Sequence, residues 1–186
     1  MISSEQDVPT DFAPDNFLSS FFRTAKAVLL VPGLFYERMK TNGGLRNPFV
    51  FLISCVLVHT LIVSLFARNQ AIIAFHVINE FLFPFAAAGI LFFIVTRLFK
   101  ASGTYEVAFR VNAYAAATAL FSWIPLIGLF VQFYRFYLIA VGLSRAFSIR
   151  GSQALLAIVI TVIIYIFALG PIMTQILGSQ WLTATP

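Results

Sequence analysis

The chain has 186 residues, 60% of them hydrophobic and only 10% charged, with a formal net charge of +5. Soluble domains carry about 25% charged residues, and a fold of about 150 residues still exposes close to a third of its chain surface, so a water-soluble globule is excluded. Nucleic acid is not implied by the basic balance, because no cluster interleaves basic and aromatic residues outside the apolar segments.

The first fourteen residues are polar and acidic with no early apolar run, which reads as a disordered tail without a cleavable secretory signal. Residues 15–47 read as interfacial amphipathic helices. Phe17, Leu18, Phe21, Phe22, Ala25, Val28 and Leu29 recur at helical spacing, with Asp15 or Asn16 as the cap. Pro32 suits the first turn of a second short helix, which Asn42-Gly43-Gly44 ends. The basic residues here, Arg23, Lys26, Arg38, Lys40 and Arg46, are the expected contacts to a membrane surface or a partner. The competing reading packs the apolar face of the first helix against the protein's own spans.

Five apolar stretches follow, at about residues 49–66, 76–98, 107–123, 125–143 and 154–177, leaving 179–186 as an external tail. Backbone polar groups must be satisfied internally in lipid, and no sustained alternation suggests a barrel. The expected fold is therefore all-α, a polytopic membrane bundle of five helices over residues 48–178. Nine Lys and Arg residues fall on the side of the N-terminus and one on the other, which puts the N-terminus in the cytoplasm and the C-terminus outside. Cys55 lies within the first span and reads as a small packing residue.

Val31-Pro32-Gly33-Leu34-Phe35 and Gly43-Gly44-Leu45-Arg46-Asn47-Pro48-Phe49 come first in an ordered set of short motifs. Ser102-Gly103-Thr104-Tyr105 then runs into Arg110-Val111-Asn112-Ala113-Tyr114-Ala115. Ile124-Pro125-Leu126-Ile127-Gly128 and Gly142-Leu143-Ser144-Arg145-Ala146 complete it. Over about residues 28–175 this set resembles the Yip1 family of small five-span membrane proteins, particularly its short bacterial members. The resemblance implies a fold and a membrane location, here a bacterial inner membrane. Eukaryotic relatives act in ER–Golgi trafficking with Rab-type GTPases through a longer N-terminal region. This chain lacks that region, so Rab binding does not carry over.

The glycines at the basic end form neither a GxxxxGK[ST] loop nor a GxGxxG after a strand, so no nucleotide site or other cofactor is expected. In the third span, Ala113/Ala117 and Ala115/Ala119 allow close approach of a neighbour, which reads as a central helix or, less simply, a homodimer seam. Intramembrane polar residues are the sharper signal, and Glu80, Arg110, Asn112 and Arg135 are the candidates. Arg110 can snorkel or pair with Glu106 at i,i+4. Arg135 lies about 12 Å from the inner end of its span. Its first option is a purely structural role, bonded to Gln132, Tyr134 or Asn112; the others are a lipid phosphate, a polar cavity, or Glu80, which sits at a different depth by roughly 10–13 Å. His59, His76 and Glu80 share the outer end and are the one set with metal-ligand chemistry, although spacing alone gives no metal signature and none is expected.

No catalytic set is legible, so the expectation is a non-enzymatic membrane scaffold, organiser or trafficking-like factor. It would act through helix packing, the lipid bilayer, and homo-oligomerisation or another membrane protein. The alternatives are a small oligomeric transporter or channel using Glu80, Asn112 and Arg135, and a metal-binding module at His59, His76 and Glu80.

Overall fold

A computed structural model describes residues 8–66, 70–124 and 126–183, without the side chains of 70–76 and 169–183. Among the described residues every regular element is helical. A 3-10 turn at Pro14–Asn16 leads into α1 (Phe17–Leu30), followed by α2 (Pro32–Arg38), α3 (Arg46–Phe66) and α4 (Gln70–Arg97). Then come α5 (Tyr105–Ala115), a 3-10 turn at Ala116–Thr118, α6 (Ala119–Ser122), α7 (Ile127–Ala146) and α8 (Gly151–Thr183).

Among the described residues four helical stretches are long and apolar enough to cross a bilayer, Arg46–Phe66, Val77–Arg97, Ile127–Ala146 and Gly151–Ala168, and the bent pair Pro14–Leu30 and Pro32–Arg38 passes the same test when taken together. At 1.5 Å per residue, 20 residues cover the roughly 30 Å hydrocarbon core. The stretch expected as the third span is instead a composite of α5, the 3-10 turn and α6, with eleven, three and four residues. Every residue from Val107 to Ala119 is buried, because α5 packs against α3, α4 and α7 at once. Burial explains the alanines: Ala113, Ala115 and Ala117 are fully enclosed by the chain's own helices. They are not available as a homodimer seam.

Close approach recurs where α7 crosses α5. A Cβ on Gly142 would stand 2.6 Å from Val111 Cγ1 and 3.1 Å from Tyr36 Cε1, so glycine is what lets these elements meet. In α3, Pro48, Phe51, Leu52, Cys55, Val56 and His59 form the buried stripe at helical spacing. Cys55 is one packing residue among them.

Three expectations change. Residues 8–14 are not a loose tail: Val8 and Phe12 are buried, and Lys40 N–H donates to Thr10 carbonyl at 2.9 Å. Asn16 holds the N-cap position of α1 but makes no side-chain cap bond; a proline-led 3-10 turn starts the helix, and Ser20 Oγ accepts the Ala13 N–H at 2.7 Å. At the C-terminal end α8 continues through residues 179–183, since nothing after Gly178 breaks a helix.

α1 satisfies both readings of its apolar residues. Phe21, Ala25 and Val28 face the bundle, while Leu18, Phe22 and Leu30 are 64–70% exposed. Leu18, Phe22, Lys26 and Leu30 follow one another at i,i+4, so the outer stripe is apolar with a cation in it. A 118° bend turns α1 into α2, with Pro32 fixing the first turn.

Candidate functional site

Three polar groupings are built into this bundle. The first lies where the strap before α1 meets α5. Arg110 is fully buried, and its Nη1 lies 3.0 Å from Asp11 Oδ1 and its Nε 3.1 Å from Glu106 Oε1. Nη2 donates to the carbonyls of Gly44 at 2.8 Å and Asn42 at 3.4 Å. Asp11 also accepts from Asn47 Nδ2 at 3.1 Å and from the Tyr114 hydroxyl, whose oxygen accepts the Phe12 N–H at 3.2 Å. The expected Glu106 pair is present; the Asp11 partner, 99 residues away, was not foreseen. Gly43 and Gly44, at φ 116° and 83°, hold the loop in a conformation that brings its carbonyls to the guanidinium. Nearby, the buried Tyr36 phenol donates to Val111 carbonyl at 3.3 Å, and burial pushes its pKa up.

The second grouping joins α3, α4 and α6. His59 Nδ1 is 2.8 Å from Glu80 Oε2, and Ser122 Oγ is 3.1 Å from His59 Nε2. Both imidazole nitrogens are thus engaged within the protein, leaving the ring no free nitrogen for a metal in this arrangement. The side chain of His76 falls outside the described residues. The Ser122 hydroxyl also reaches Ala119 carbonyl at 3.0 Å, and the Ile124 and Gly128 amides bond the carbonyls of Phe121 and Ile124. The set reads as a polar tie between three helices.

The third surrounds Phe83. The Arg135 guanidinium, in α7, sits 5.3 Å from its ring centre, and Tyr165 meets it edge-on at 4.6 Å. Arg135 is buried, and its Nε has no hydrogen-bond partner among the described residues. It makes no direct pair with Glu80, whose carboxylate goes to His59. Asn112 donates to Ala108 carbonyl at 2.8 Å, and its Oδ1 has no partner among the described residues. Phe83, Asn112 and Thr161 border a cavity of about 10 Å³, room for about one water.

The predicted polar candidates therefore separate. Glu80, Arg110 and Arg135 belong to three different groupings, with Asn112 near the last. Of the basic residues nominated for surface contact, Arg23, Lys26, Lys40 and Arg46 are exposed and Arg38 is half-buried. Sequence reasoning missed Asp11, Tyr114, Ser122 and Phe83. Asp11-Phe12, an acid followed by an aromatic, was the one available hint of a docked strap.

Several apolar helices around a buried composite helix, with polar ties inside, define a polytopic helical membrane protein. The Yip1 domain matches residues 26–172, most of the chain. The protein belongs to that family. No curated protein and no solved structure gives a match.

Proposed function

We propose that the protein is a non-catalytic membrane organiser of the Yip1 type that works from the bilayer surface. Its N-terminus faces the cytoplasm, its C-terminus the outside, and its host is a bacterial inner membrane. The observation that carries this is the outer stripe of α1, where Leu18, Phe22 and Leu30 are exposed beside Arg23 and Lys26. A helix held to the bundle by one face and apolar on the other lies in the headgroup layer, where basic residues meet anionic lipid. Such a wedge gathers lipid and offers a docking ridge to another membrane protein or a second copy.

Transport has less support. Glu80 is bonded to His59, Arg135 stacks on Phe83, and the space beside Asn112 holds about one water.

The test places an environment-sensitive fluorophore at position 18 of the full chain in anionic liposomes. Quenching by lipid-borne quenchers and a blue-shifted emission are expected, both lost with Phe22→Ser and Leu30→Ser. A water-like spectrum in the unaltered chain would reject the wedge. Purification from native membranes with neither lipid nor protein above background would reject the organiser role.

A further inference from the structure

Between α7 and α8, at the end of the bundle that carries α2, two cavities share part of their lining. The outer one, about 710 Å³, is bordered by Glu37, Ser144, Arg145 and Ser148 among others. The inner one, about 590 Å³, is walled by apolar side chains such as Phe133, Phe136, Leu155, Val159 and Ile163. Tyr137, Ala140 and Gly151 line both, so they form one groove with a polar mouth and an apolar trough.

Its dimensions and charges point to one kind of occupant. From Gly151 to Ile163 α8 rises roughly 18 Å. One leaflet's share of the hydrocarbon core is about 15 Å. The trough therefore matches one acyl chain running from the headgroup level to the bilayer centre. At the mouth, Arg145 Nη1 stands 3.5 Å from Glu37 Oε2, with the two side chains 55% and 61% exposed. An ion pair so open to solvent is weak and readily exchanged for other partners. The mouth thus offers one cation and one anion a few ångströms apart.

We infer that this groove binds a glycerophospholipid with a primary-amine headgroup, its phosphate on Arg145, its ammonium on Glu37 and one acyl chain between α7 and α8. A guanidinium suits phosphate oxygens, and a carboxylate accepts N–H bonds from the ammonium. A choline headgroup has no N–H to give Glu37, and a glycerol headgroup leaves that carboxylate without a cation. The inference deepens the lipid-contact reading proposed above, but it uses none of the exposed α1 residues.

The experiment is native mass spectrometry of the delipidated full chain in mild detergent, with equimolar phosphatidylethanolamine, phosphatidylcholine and phosphatidylglycerol. The ethanolamine lipid should be retained roughly tenfold over the others. Glu37→Gln should move the preference towards phosphatidylglycerol, and Arg145→Gln should weaken all three. Both residues are exposed, so neither variant threatens the fold. Ala140→Phe, which fills the junction, should remove the adduct, with a thermal melt run beside it to show that the chain stays folded. Adducts in proportion to the lipid supplied, or a preference unmoved by Glu37→Gln, would overturn the proposal. So would a dimer that excludes lipid from the groove. Phe22→Ser and Leu30→Ser should leave the adduct intact, so an intact adduct with a water-exposed α1 rejects the wedge alone.

Discussion

Asp11→Asn is the sharpest perturbation this structure offers. The carboxylate receives the Arg110 guanidinium, Asn47 Nδ2 and the Tyr114 hydroxyl, and Arg110 is wholly enclosed. Removing one partner of a buried ion pair costs about 3–5 kcal/mol, because the remaining charge stays desolvated. Glu106 still holds Arg110 Nε, and an asparagine oxygen still accepts one bond. These remaining contacts bring the cost to the bottom of that range or just below it, about 2–3 kcal/mol. For a chain of this length that corresponds to a fall of about 5–10 °C in melting temperature. A double-mutant cycle with Arg110→Met in detergent isolates the pair, with an expected coupling of about 2 kcal/mol. Hydrogen exchange should localise the effect, with the amides of residues 8–16 losing protection before the long helices do. A coupling under about 0.5 kcal/mol, or an unchanged exchange pattern in the strap, would refute the reasoning.

Gly142→Ala should destabilise by about 1–3 kcal/mol through overpacking, since the new methyl meets Val111 and Tyr36 on two elements at once; a thermal melt equal to the unaltered chain would mean α7 can slide away freely. Arg135→Met makes the opposite claim: with Nε unpartnered and no direct carboxylate, an apolar side chain of similar length should leave stability within about 1 kcal/mol or raise it. A loss well beyond the roughly 2 kcal/mol of a desolvated cation–π contact would show that the guanidinium holds a partner.

The bilayer made the long helices legible, because its thickness sets their length and forbids interrupting charge. α3 and α7 could be read directly from their apolar runs. α5 and α6 were harder, since a buried composite helix needs small residues and tolerates breaks that a lipid-facing span does not. Among polar residues, what lay close in sequence or depth could be seen. Glu106 and Arg110 are four residues apart, His59 and Glu80 start from the same end, and the depth mismatch of Arg135 and Glu80 argued against direct contact. Asp11 and Ser122 were invisible for one reason. Each acts on a residue 99 or 63 positions away, and such pairings leave no periodic trace.

That separation also has a consequence for biogenesis. During synthesis Asp11 emerges 99 residues ahead of its partner, roughly 5–20 s at ordinary translation rates. Throughout that interval Phe12 lacks the Tyr114 hydroxyl it bonds to, while two long helices are already being inserted. Glu106 reaches Arg110 first, as a neighbour on the same helix, and neutralises it during insertion. Closure of the strap is then a late event that reports a correctly placed α5.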